Sequence, residues 1–150
     1  MLFRSGVIVS LIPSDHVEEV WPKVQRHMER AAEYTYGRYD VNDIKDSITQ
    51  YDHHLWIAFD DDKVIKGAVV TAFKHYPKAK YLDMVFIGGD DGLAWKDDML
   101  KMLQHWGFDN DCDGIESSGR LGWAKMFKDD GYKPLWQTYI LPIAETGLGA

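Results

Sequence analysis

The spacing of apolar residues changes along the chain, and each change marks an element. Val7, Ile8, Val9, Leu11 and Ile12 form a β-branched run that stops at Pro13, which predicts a short first strand. Over residues 15–34, Val17, Val20, Trp21, Val24, Met28, Ala31 and Ala32 share one helical face, with Ser14 and Asp15 available as caps. Pro22 removes a donor inside this helix, which predicts a kink or a restart at Trp21. Ile44 and Ile48, four apart behind Asp40, predict a shorter helix over 41–49. Residues 54–59 and 64–73 are strand-like runs joined by Asp60, Asp61, Asp62 and Lys63, the pattern of an antiparallel hairpin with a polar turn. A further run over 81–87 ends in Gly88 and Gly89. Alternation predicts Leu82, Met84 and Phe86 on one of its faces, and Asp83, Val85 and Ile87 on the other. Leu93, Met99, Leu100, Leu103 and Trp106 then repeat with helical spacing, and Gly107 is expected to stop that helix. The last third predicts a strand over 114–117, a helix over 121–130 ending at Gly131, a strand over 135–141 and a fraying tail over 143–150.

The order β-α-α-β-β-β-α-β-α-β, with no repeat or linker, predicts a single α/β (α+β) domain over 1–150, a mixed sheet with helices on its faces. Its 150 residues are 45% hydrophobic, enough for one ordinary core. A net charge of −7 and a pI near 5.2 oppose nonspecific binding to nucleic acid, because phosphate contacts need Lys and Arg. The single Cys112 excludes an internal disulfide framework and a multi-cysteine zinc site, and points to a reducing, cytoplasmic setting. The apolar run at 7–13 is too short for a signal peptide or a membrane span, so no membrane partner is expected.

Several polar candidates lose their chemistry to spacing. His53 and His54 are adjacent and would face opposite sides of a strand, so they cannot grip one metal; no metal is expected. His16, His27 and His105 lie on predicted helices with no ligand partner at i+4 and are expected to be solvated. No nucleophile elbow, Walker loop or dinucleotide fingerprint occurs. Six tryptophans exceed what a core of this size usually requires, and some are expected at a protein contact or homo-oligomer surface.

The segment Trp123-Ala-Lys-Met-Phe-Lys-Asp-Asp-Gly-Tyr132 is a helix pattern ending in Gly and an aromatic residue. With the two helices before a three-strand meander, it resembles the GNAT superfamily of acyl-CoA-dependent N-acyltransferases, over most of the chain. The run Gly119-Arg-Leu-Gly-Trp123 is also similar to GNAT-like proteins of tailed bacteriophages. The resemblance implies a mixed, mostly antiparallel sheet with helices on both faces, and transfer of acetyl from acetyl-CoA to an amine. It implies a pyrophosphate site at Ile87-Gly-Gly-Asp-Asp-Gly-Leu93, where Gly88, Gly89, Gly92 and Leu93 offer backbone N–H groups at the positive end of a helix. Val85 and Ile87 would flank the pantetheine, and Arg120 would meet a CoA phosphate.

The chain departs from the family pattern in three places. The loop pattern Q/R-x-x-G-x-G/A has no Arg or Gln here, and Asp90 and Asp91 stand beside it. A carboxylate about 5 Å from a phosphate charge costs about 3 kcal/mol at an effective dielectric of about 20, unless it points away or caps the helix. Phe127 stands, at the cofactor, where many members carry a tyrosine acid, and a phenyl ring donates no proton; Arg120 replaces a frequent asparagine. The base that an amine nucleophile needs falls to Asp83 or Glu116, which flank the acyl site in the resemblance. Asp83 intrudes among apolar neighbours, where its pKa would rise. The alternative function is a GNAT fold without catalysis, a phage virion or assembly component acting through protein contacts.

Overall fold

β1 (Ile8–Ile12) leads through a 3₁₀ turn into α1 (Val17–Ala32) and then α2 (Val41–Gln50). A meander of β2 (His54–Phe59), β3 (Ile65–Tyr76) and β4 (Ala79–Gly89) follows, and α3 (Gly92–Asp109) crosses to β5 (Gly114–Ser117). The computed structural model describes residues 6–118 and 127–143. The chain divides into two compact units, Met1–Ser118 and Gly119–Ala150, and the first holds all of these elements.

Local chemistry explains where the elements begin. Asp40 accepts from the Asp43 amide and Asp43 from the Asp40 amide, each at 2.9 Å, a reciprocal cap that starts α2 one residue later. The Asp60 carboxylate accepts from the amides of Asp62 and Val64 at 2.9 Å and closes the β2–β3 turn, with Lys63 at φ 61°. Pro22 neither breaks nor restarts α1, which runs unbroken from Val17. Its missing N–H forfeits only the bond to the Glu18 carbonyl, and the buried stripe Val17, Trp21, Val24 and Met28 holds the helix against the sheet.

The sheet order is β1-β2-β3-β4-β5, antiparallel throughout except for the parallel β4–β5 pair. Leu55, Ile57, Ala68, Val70 and Phe86 face α1 and α2, in one core with Val17, Trp21, Val24, Met28, Ile44 and Ile48. The opposite face packs on α3, where Trp95, Met99 and Leu103 are buried. Between the pairs Val70–Phe86 and Thr71–Met84 the β3–β4 register slips, leaving Val85 unmatched. The simple alternation expected for β4 therefore fails: Leu82 packs toward α3, beside Gly107, whereas Phe86 joins the α1 core. The unmatched residue inverts the faces that follow it.

Three further expectations are corrected. Gly107 does not stop α3; it is buried inside the helix beside Leu82 and Cys112, and the helix runs on to Asp109. His27 is not solvated. It is 1% exposed, its Nε2–H donates to the Ile65 carbonyl at 3.3 Å, and burial pushes its pKa below the ordinary value. Residues 135–141 form no strand among the described residues: no ladder partner supplies the backbone hydrogen bonds, and Leu135, Trp136, Tyr139 and Leu141 are exposed. Of the six tryptophans, Trp21, Trp56 and Trp95 are buried, Trp106 is half-buried and Trp136 is exposed. The helix expected over 121–130 falls mostly outside the described residues, with a 3₁₀ turn at Lys128–Asp130 and Gly131 at φ 88° closing it.

At Gly88 helix and sheet approach closely, since a Cβ there would collide with the His27 carbonyl oxygen of α1. The Gly88→Ala variant is expected to lose about 1–3 kcal/mol of stability, read as a lower denaturant midpoint at unchanged m-value.

Candidate active site

Asp83 and Glu116 are register partners in the parallel β4–β5 pair, so their side chains leave the same face of the sheet. Lys74 and Tyr76 of β3 share that face with Tyr81, which is paired with Lys74. Tyr76 donates its hydroxyl to Glu116 Oε1 at 2.6 Å, and its ring meets Tyr81 edge-on at 5.8 Å. The two carboxyls consequently live in different surroundings. Glu116 has one oxygen committed to a phenol, whose own pKa is pushed up to about 12 by that bond and by the nearby acids. Asp83 is half-buried; desolvation, with a smaller contribution from Glu116, lifts it to about 6 against the opposing pull of Lys74.

β5 pairs β4 only from Tyr81 to Met84, while β4 runs on to Gly89. Val85 and Ile87 therefore lie on a length of β4 along which no β5 partner continues among the described residues. At the end of that length the turn into α3 is more crowded than the sequence suggests. Gly88 and Gly89 are strand residues whose missing side chains make room for the protein itself, the His27 carbonyl at Gly88 and the Lys66 carbonyl, 2.6 Å from a Cβ built at Gly89. This packing is a physical reason for glycine at both positions. Gly92 and Leu93 begin α3, and first-turn amides have no partner within a helix.

Asp90 does not repel an anion from this turn in the way expected of a free carboxylate. Arg26 and Arg30 of α1 bind its two oxygens at 2.8 and 2.7 Å and hold its pKa down at about 2. Nor does Asp90 cap the helix. Asp91 occupies the N-cap position at φ 53°, with no side-chain cap bond. Arg120 lies outside the described residues, and Phe127, in the second unit, stacks on Tyr132 at 5.3 Å. Among the described residues no three His, Cys, Asp or Glu side chains gather as a metal requires, and no helix is long and apolar enough to cross a membrane.

No protein-family model and no curated protein matches the sequence. Solved structures do match in shape. The aminoglycoside N-acetyltransferase AAC(6')-Iy in complex with CoA superposes with TM-score 0.68 at 15% identity, over 95% of this chain and 97% of that one. A ribosomal-protein-alanine N-acetyltransferase from Brucella melitensis biovar Abortus 2308 gives 0.66 at 13% identity, over 92% and 99%. A GNAT family acetyltransferase from Staphylococcus aureus subsp. aureus USA300_TCH1516 gives 0.63 at 12%, over 91% and 98%. This chain has the GNAT fold.

Within this GNAT fold, the residues that sequence reasoning missed are Tyr76, Lys74, Arg26 and Arg30. The arginines left a signal, because residues four apart on a helix share a face. Tyr76 left none, since its partner Glu116 is 40 positions away.

A raised Asp83 pKa makes the folded state bind its proton more tightly than the unfolded chain does, so this group favours folding most at low pH. That contribution is lost as pH rises from about 4 to about 6 and stays lost above. Asp83→Asn is therefore expected to gain melting temperature relative to wild type across that window and to level off above it. A constant difference between the two melts at every pH would show an ordinary carboxyl.

Proposed function

We propose that this protein is an N-acetyltransferase that moves acetyl from acetyl-CoA to a primary amine, with Asp83 as the base. One observation carries the reading: a half-buried carboxyl with pKa near 6 stands where β5 ends and β4 runs on toward the first turn of α3, paired only with β3 among the described residues. Such a group is ionised at neutral pH yet basic enough to take a proton from an ammonium or from the attacking nitrogen. Glu116 is tied to Tyr76, and its charge helps to keep Asp83 raised.

In the proposed reaction the amine lone pair attacks the thioester carbonyl and forms the C–N bond. The tetrahedral intermediate expels CoA thiolate as the C–S bond breaks, and the proton lost by nitrogen goes to the Asp83 carboxylate. With Phe127 in place of a tyrosine acid, the thiolate leaves without a proton from that position, which a thiol of pKa about 8.5 permits at some cost in rate. The first-turn amides of Gly92 and Leu93 receive the pyrophosphate, and Val85 and Ile87 line the pantetheine. The CoA complex of the AAC(6')-Iy structure, on the same fold, supports the choice of acyl carrier. The exposed Leu135, Trp136 and Tyr139 favour a second reading, a non-catalytic assembly component working through protein contacts in a virion or host cytoplasm.

Calorimetric titration with acetyl-CoA separates the two. The transferase binds tighter than about 100 μM, whereas a scaffold gives neither heat nor thermal stabilisation. With a panel of primary amines and detection of released thiol, Asp83→Asn is expected to lower kcat about 100- to 10,000-fold at unchanged acetyl-CoA affinity. Wild-type kcat should climb with pH through about 6. Full activity in the variant would remove Asp83 from the mechanism.

A further inference from the structure

We propose that Arg26 and Arg30 of α1 form the side-chain part of a diphosphate-binding site, taking the pyrophosphate of the acyl carrier beside the first turn of α3. The inference rests on the acetyl-CoA reading above and adds residues from another element to it. The loop itself offers no Arg or Gln, so side-chain cations for a diphosphate must come from elsewhere in the fold. Arg26 and Arg30 reach this turn from α1 and meet there on Asp90.

The geometry makes Asp90 an organiser of these cations. Its amide donates to the Lys66 carbonyl at 2.8 Å and its carbonyl accepts from Trp95 Nε1 at 2.9 Å, so its backbone is pinned from both sides. Its two carboxylate oxygens each take one arginine, and each guanidinium spends a single nitrogen on the bond. A guanidinium carries five N–H donors, so most of the fork stays available. Arg26 and Arg30 remain 65% and 46% exposed, and can be reached from solvent while still bound to Asp90. Two fixed positive charges against one carboxylate leave a net positive group, and α3 carries no acidic residue in its first turn. Asp91, at the N-cap, offsets this excess charge, which places the turn near neutrality instead of at the −2 that its own two acids imply. Paired guanidiniums suit a diphosphate because their planar forks can each hold two oxygens of a phosphoryl group.

The test is calorimetry on the full chain carrying R26Q and R30Q together, with melting temperature as the folding control. Acetyl-CoA is expected to bind about tenfold more weakly to the double variant, ~1.4 kcal/mol. Acetyl-dephospho-CoA, which keeps the pyrophosphate but lacks the 3′-phosphate, should lose as much. S-acetylpantetheine, which has no pyrophosphate, should bind both proteins equally by NMR titration. The R26K/R30K variant should recover only part of the loss, because a point charge lacks the fork; it also serves should the glutamine pair fold poorly. Acetyl-CoA affinity within twofold of wild type would overturn the site while leaving the transferase reading intact. A loss confined to the 3′-phosphorylated ligand would overturn the pyrophosphate assignment. Failure of the wild-type protein to bind acetyl-CoA would overturn the reading and this site with it.

Discussion

Strand side chains alternate between faces, so one unmatched residue in a central strand redirects every side chain after it. Val85 is that residue in β4. Before it, Leu82 points to α3, and Asp83 takes the opposite side with Glu116 and Tyr76. After it, Phe86 joins the α1 core and Gly88 lies directly beneath the His27 carbonyl. The slip occurs at Thr71, a fully buried hydroxyl that accepts from Trp56 Nε1 at 2.9 Å and lies 2.9 Å from His54 Nδ1. A buried polar group is costly to leave unsatisfied, which ties the slip to this set of bonds. The close approach at Gly88 draws α1 onto the end of β4 and brings Arg26 and Arg30 within reach of Asp90. The α3 turn thus depends on one extra residue that lies just beyond the acidic cluster.

Three carboxyls on β4, on its neighbour β5 and in the turn after β4 show how surroundings divide one chemistry into separate tasks. Asp83, half-buried and partly opposed by Lys74, holds its proton up to about pH 6. Glu116, paired with it across the ladder, keeps one oxygen bound to a phenol. Asp90, exposed and gripped by two guanidiniums, stays ionised down to about pH 2. All three are ordinary acids in an acidic sequence of net charge −7. Burial, a neutral donor and paired cations separate them.

Much of the architecture was legible because it is encoded locally. The reciprocal Asp40–Asp43 cap, the polar Asp60–Lys63 turn and the apolar stripe of α1 act between residues a few positions apart, and the elements they predict are present. The strand at Gly114–Ser117 was legible too. The failures share one character. Gly107 reads as a helix stop, yet it is a small residue that lets α3 pack beside Leu82. His27 reads as a surface group, yet a strand carbonyl waits for it. Residues 135–141 have a strand composition but no ladder to complete. In the site, Asp83 could be singled out as an acid among apolar residues, whereas its distinction from Glu116 could not.

The sequence by itself determined which segments become helix or strand, where several of them begin, and the alternation of cores that makes a GNAT-type sheet, because hydrophobic period and capping are short-range effects. Tertiary structure alone decided that Val85 is unmatched, that Gly88 and Gly89 serve packing, that Tyr76 takes Glu116, and that two arginines neutralise Asp90. Each of these joins residues tens of positions apart. Charge, burial and hydrogen bonding act through space, so the pKa of a carboxyl exists only once its neighbours have been assembled around it.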